Sequence, residues 1–235
     1  MPETATKPRK KSQWKQDPEA VKAEILQVAT VEFAMHGLAG ARIDEIARRT
    51  SVSKRMIYYY FGDKLGLYIK ALEAIYSALR SGEEQLRVET MEPVAALQKL
   101  VEATFDTHFN NPNFVRLVMI ENIHQAEYLK SSKAIPTLNR AIILKLQDVC
   151  RRGKEAGIFH DDIDPVELHW FISSFSFYNI SNRATFSVSF GDALFSADGQ
   201  RRLKQQAVDM ILARAVKGYQ PGQGDHGTSL TVSER

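Results

Sequence analysis

Ser53, Lys54, Arg55 and Met56 follow one another just ahead of an aromatic run, Tyr58, Tyr59, Tyr60 and Phe61. If a helix opens at Ser53, as the spacing indicates, Lys54 and Arg55 bring positive charge to its N-terminus. The helix macrodipole disfavours such charges by roughly 0.3 to 1 kcal/mol each. An anion offsets that cost: Arg presents parallel donors to the guanine acceptors, and either cation meets a phosphate. Arg42, just before the preceding helix, and Lys64, at the start of the following one, are placed in the same way. The plainer alternative is a set of solvated surface charges. Ser53 reads as the N-cap, its oxygen accepting a backbone N–H while its hydroxyl stays able to donate to a phosphate. Successive residues cannot share a helix face. Counting from Ile57, Tyr60 and Phe61 turn inward while Tyr58 and Tyr59 present hydroxyls outward; a wholly structural aromatic cluster is the alternative.

These side chains need a scaffold, and residues 43 to 61, IDEIARRTSVSKRMIYYYF, supply one. Two short helices, about 43 to 50 and 53 to 60, are joined by a tight turn. Ala47 is small where they approach, and Ile46, Val52 and Ile57 provide the apolar contacts that set their angle. This is helix-turn-helix spacing, in which the first residues of the second helix face the bases of the major groove. Upstream, Val21, Ile25, Val28, Ala29 and Phe33 keep the three-and-four spacing of one helical face, which stops near Gly37. Further helices are predicted over about 64 to 88, 92 to 110, 112 to 121, 125 to 156, 165 to 187 and 198 to 217. Asp164 followed by Pro165 is a helix start, and Pro136 is placed to kink or split the 125 to 156 segment. The fold class is all-α.

The stretch HGLAGARIDEIARRTSVSKRMIYYYFGDKLGLY, from His36 to Tyr68, resembles the DNA-binding domain of the TetR family. A glycine follows the first helix, Ile-Ala lies in the second, Val-Ser opens the third, Tyr-x-Tyr-Phe closes it and Lys64 opens the fourth. The resemblance implies a three-helix DNA-binding domain, a homodimer on a palindromic double-stranded DNA operator, and repression relieved by a small-molecule inducer. It places DNA contacts on Arg42, Ser53, Lys54, Arg55, Met56, Tyr58, Tyr59 and Lys64. Two positions depart from the family: Arg42 stands where Thr or Ser is usual, and Ser51 where the turn usually has glycine. A left-handed conformation at Ser51 carries roughly 1 to 2 kcal/mol of strain.

Beyond Lys64 the predicted helices are long, which suits a bundle surrounding a cavity. Residues 111 to 122 and 151 to 182 resemble the C-terminal domain of the branch that includes the pyrimidine-responsive repressor of bacterial uracil catabolism. The segment 165 to 187 interleaves Trp170, Phe171, Phe175, Phe177, Tyr178 and Phe186 with Ser173, Ser174, Ser176, Asn179 and Asn182. Such a stripe serves as core, as dimer interface or as an apolar pocket with polar orienting groups. The resemblance would put the dimer interface on the last two helices. Candidate ligand contacts are Phe105, His108, Phe109, Asn122, His124, Trp170, Ser174 and Tyr178. The resulting division is a flexible basic arm over 1 to 16, a helix-turn-helix domain over 17 to 63, a ligand-binding and dimerisation domain over 64 to 217, and a flexible tail from 218 to 235.

Composition narrows the remaining classes. With 44% hydrophobic and 25% charged residues the 235-residue chain is that of a globular protein. No run of apolar residues is long enough to span a bilayer, and the basic start leads into Asp17, Pro18 and Glu19, so a cytoplasmic protein with no membrane partner is expected. The net charge is +3, with twelve Lys/Arg against eight Asp/Glu up to residue 64. Cys150, the single cysteine, can form neither an intrachain disulfide nor a cysteine zinc site and reads as a buried small hydrophobe. His160, Asp161, Asp162 and Asp164 form an acidic loop that reads as a helix cap in preference to a metal site. Phosphate-binding, dinucleotide, hydrolase-elbow and metalloprotease motifs are missing. No catalytic residue, metal or cofactor is therefore expected. A helical protein-interaction adaptor is the competing class, favoured if the second domain has no cavity.

Overall fold

The computed structural model describes residues 17–50 and 52–221. The basic arm, Ser51 with its expected turn strain, and the tail from 222 lie outside the described residues. Among those described there are ten α-helices and no β-strand. The ten are α1 (Pro18–Gly40), α2 (Ile43–Thr50), α3 (Lys54–Phe61), α4 (Lys64–Glu84), α5 (Pro93–Asn110), α6 (Pro112–Ile123), α7 (Ala134–Glu155), α8 (Pro165–Ser181), α9 (Arg183–Phe190) and α10 (Ala197–Ala215). None is long and apolar enough to cross a membrane.

Helix starts follow local chemistry. Asp17 accepts from the Glu19 N–H with Pro18 at the first helical position, and Asp164 accepts from Val166 and Glu167 (2.8 and 2.9 Å) ahead of Pro165. The break expected at Gly37 is present inside α1, where φ 64 and ψ 178 fall in a region essentially restricted to glycine.

Several expectations are corrected. The predicted helix 125 to 156 does not begin until Ala134. Gln125 and Ala126 have left-handed φ of 54 and 58, and a 3₁₀ turn follows at Leu129–Ser131. Tertiary partners impose this path. The buried Glu121 carboxylate accepts from the Tyr68 hydroxyl on α4 (2.7 Å) and from the Leu129 N–H (2.8 Å). Ser132 Oγ donates to Glu73 of α4 (2.7 Å) and accepts from Ala134 and Ile135. Pro136 therefore lies in the first turn of α7, where its missing N–H would have been unpaired anyway, and it neither kinks nor splits the helix.

The predicted helix 165 to 187 is also divided, at Asn182 (φ −102, ψ 1), so that α9 leaves the line of α8. Part of the segment assigned to the tail is packed onto the bundle. Tyr219 packs against the core and its hydroxyl donates to Asp209 (2.9 Å), while Lys217 N–H donates to the Ile158 carbonyl.

Two apolar cores organise the molecule. One joins α1 to α4 with α6 and the start of α7, through Ile25, Phe33, Ile46, Ile57, Leu67, Phe114, Leu117 and Ile135. The other lies among α5, α7, α8 and α10. The helix-turn-helix thus shares its core with elements more than fifty residues downstream. Cys150 is buried in α7, and burial pushes its thiol up to about 11.

Candidate nucleic-acid interface and effector cavity

At the N-terminal end α2 and α3 form the helix-turn-helix, with Ile46 and Ile57 fully buried between them and α1. Ser53 caps α3 by accepting from the Met56 N–H at 3.3 Å. Lys54, Arg55, Tyr58 and Tyr59 are exposed along the free face of α3, Tyr59 at 77%, while Tyr60 and Phe61 pack against the core. Met56 is half-buried.

The charges expected to sit uncompensated at helix starts have local partners in two cases. Lys54 forms an ion pair with Asp44 of α2. Lys64 donates to the Ala39 carbonyl at the end of α1 (3.0 Å), completing that terminus. Arg42, which cannot cap α2 as a Thr or Ser would, has its own N–H taken by the buried Glu32 carboxylate (3.1 Å), leaving the side chain exposed. Arg48 and Arg49 lie in the last turn of α2 beside Arg42 and line a shallow concavity against α1. Sequence reasoning did not name them, because cations at a helix C-terminus are favourable for stability alone.

In the C-terminal half a cavity of about 530 Å³ lies among α5, α8, α9 and α10. Phe105, Ser174 and Tyr178 line it, and the other five sequence candidates do not. Trp170 is 67% exposed on the outer face of α8, Phe109 opens on the α6 side, and Asn122 and His124 are exposed at the end of α6. His108 is buried, stacked on Phe114 with ring centres 5.8 Å apart and hydrogen-bonded to Ser176 at 2.7 Å.

The cavity also takes Asn182, Phe186, Phe195, Gln206 and Met210, none of them named from the sequence except within the aromatic stripe. Its wall exists because the chain breaks at Asn182 and brings Phe186 edge-on to Phe195, 6.0 Å between ring centres. A reciprocal amide pair, Asn179 with Gln200 (2.7 and 3.0 Å), closes one side. Gly199 at the start of α10 is required by close approach, since a Cβ there would lie 2.3 Å from the Ala193 carbonyl oxygen.

The acidic loop is tied internally: Asp162 pairs with Arg214 (3.1 Å) and Asp161 with Lys217 (3.5 Å). No cluster able to hold a metal ion occurs among the described residues.

A basic helix-turn-helix mounted on a helical domain with a cavity defines the class of DNA-binding transcriptional regulators. Comparison with known proteins gives the family. Residues 25–71 match the bacterial regulatory proteins of the tetR family, and residues 93–211 match the tetracyclin repressor-like C-terminal domain. The HTH-type transcriptional repressor NicS of Pseudomonas putida is 33% identical over 172 residues, covering 73% of this chain and 81% of NicS. The HTH-type transcriptional regulator RutR of Escherichia coli K12 is 31% identical over 110 residues, 47% of this chain and 51% of RutR. The ketosteroid transcriptional regulator KstR2 of Mycobacterium tuberculosis shares the fold, with a TM-score of 0.59 at 20% identity over 83% of this chain and 95% of its own. The chain belongs to the TetR family of transcriptional regulators.

Proposed function

We propose that this protein is a homodimeric repressor that leaves a palindromic operator when a small molecule occupies its C-terminal domain. The observation that carries the reading is α4. It begins beside α3 at Lys64 and runs unbroken to Glu84, so that one rigid element belongs to both the DNA-facing end and the ligand domain. A ligand that fits one packing of the bundle better than another shifts the population between them by its differential affinity, and α4 carries the shift to α3.

On the DNA side Arg55 and Lys54 are assigned to base edges and phosphates, Tyr58, Tyr59 and Ser53 to the sugar-phosphate backbone, and Arg42 to a flanking phosphate, with Met56 on the groove side. Lys64 acts through the end of α1, its bond to Ala39 supporting the turn before α2. On the ligand side Phe105, Ser174 and Tyr178 offer the mixture of apolar wall and few polar groups that small-molecule sites have. The exposed apolar side chains of α8, Val166, Trp170 and Phe171, are assigned to dimer contact.

The test is binding of the purified protein to its own upstream intergenic DNA, against a random duplex of equal length, over a range of salt concentrations. A specific complex whose affinity falls steeply with salt is expected. Equal weak binding to both duplexes would count against the repressor and favour an adaptor.

A further inference from the structure

One face of α6 carries Pro112, Val115, Arg116 and Met119, at the three, four and seven spacing that lines residues up along a helix. Across from it stand Ile180 at the end of α8 and Arg183, Ala184 and Ser187 on α9. Between them lies a groove of about 440 Å³, lined also by Phe109 of α5. Its surface is apolar: Val115 is buried, Met119 and Ile180 are half-buried, and Phe109 is open to solvent.

The charged residues lining this groove are Arg116 and Arg183, one on each wall, and no carboxylate lines it among the described residues. Both are exposed, and neither forms an ion pair among the described residues. Arg116 reaches Met35 Sδ of α1 at 2.8 Å, and the Arg183 guanidinium lies over the Phe195 ring, 5.3 Å from its centre. Those contacts position the two side chains and leave their charge uncompensated. By contrast Arg48, Arg151, Arg152, Arg201 and Arg214 all hold carboxylates of this chain. The two bare guanidiniums therefore stand where an apolar groove needs a cover.

We propose that the groove receives an acidic amphipathic helix from a protein partner. Such recognition lays an apolar stripe spaced i, i+3, i+4 and i+7 into a trough between helices. Here the stripe meets Phe109, Val115, Met119 and Ile180, while carboxylates on its two flanks reach Arg116 on one wall and Arg183 on the other. Ala184 and Ser187 are small, so the incoming backbone approaches closely. Charge on both walls selects this occupant: a fatty acid or other single-headed anion meets one arginine and leaves the other bare. A DNA duplex offers phosphates but no apolar stripe to cover the floor. The dimer contact assigned to Val166, Trp170 and Phe171 lies toward the other end of α8, with Trp170 about 15 Å along the helix axis from Ile180, and leaves the groove free. Because Arg116 also touches α1, the occupant borders the DNA-binding domain. The site does not depend on the repressor reading.

The probe is a labelled synthetic peptide of about 20 residues, long enough to form helix, with leucines at helical spacing, glutamates on both flanks and alanine elsewhere. Its counterparts are the same peptide with lysine for glutamate and a scrambled acidic peptide without the spacing. Fluorescence anisotropy with the full-length protein is expected to show binding of the acidic helix in preference to both, weakening with salt. Joint Arg116→Glu and Arg183→Glu should weaken the acidic peptide by at least about tenfold and admit the lysine one, since like charges then face the first and opposite charges the second. The proposal is overturned if the acidic peptide fails to bind, if either counterpart matches it, or if the double reversal changes nothing. It is also overturned if laurate binds with the same need for both arginines. A fall to half the mass on double reversal, read by sedimentation, would make the groove an interface between copies and overturn it too. Should the reversed protein fail to fold, the three peptides against the unaltered protein decide. Operator binding is measured separately without peptide, so failure of the repressor reading is distinguishable from failure of this site.

Discussion

Arg55 is exposed at the first turn of α3, and an exposed side chain contributes little to stability. Its replacement by Ala should therefore separate function from folding: operator affinity falls by roughly 1 to 3 kcal/mol if the guanidinium reads a base edge, while the thermal midpoint holds. Fluorescence anisotropy on a labelled operator, paired with a melting curve, checks both halves. Lys54 is a less clean probe, because removing it also strips Asp44 of its ion-pair partner. Tyr68 makes the opposite case. Its ring is fully buried, edge-on to Phe33 and Tyr128, and its hydroxyl serves the buried Glu121. Tyr68→Phe preserves the ring contacts and leaves a buried carboxylate oxygen short of a donor, so about 1 to 3 kcal/mol of stability should be lost in denaturant titration.

At the scale of elements, α5 and α8 carry a pH dependence. His108 ordinarily titrates near 6.5 and is held down to about 4 in the folded protein. Between those values the unfolded chain takes up a proton that the folded one refuses, so stability declines as pH falls through that window and levels off below it. His108 accounts for about 3 kcal/mol of that decline, and His169, being partly exposed, for less. Thermal melts at stepped pH should show the decline, and His108→Phe should flatten it.

The elements also divide into those that local sequence specifies and those that it does not. α2 and α3 were legible because capping, apolar spacing and turn lie within twenty residues. The Asp17 and Asp164 caps were legible for the same reason. The segment 124 to 133 was not, because its left-handed residues are held by Glu121 and Ser132 bonding to α4, some fifty-odd residues away. The division at Asn182 escaped because the aromatic spacing runs through it undisturbed. Of the ligand candidates, Phe105, Ser174 and Tyr178 converge on one cavity. Residue type alone could not show that Trp170 turns outward or that His108 is buried between Phe114 and Ser176.

At the scale of the whole molecule, the proposed dimer and operator predict a salt dependence. Neutralising several phosphates makes log affinity fall linearly with log salt, so the slope reports how many cations of the two protomers are engaged. The core shared by α1 to α4 with α6 and α7 bears on modularity. Phe114, Val115, Leu117 and Ile135 are buried against the DNA-binding helices. A fragment ending after α4 would bare that apolar face to water and should aggregate or melt early in light-scattering and circular dichroism measurements. Anyone building biosensors by joining the reading head of this protein to a foreign sensor would find that the natural seam is not where α4 begins. The graft has to carry α6 with it, or an equivalent surface on the recipient, and specificity for DNA would then travel between proteins as a matched pair of pieces.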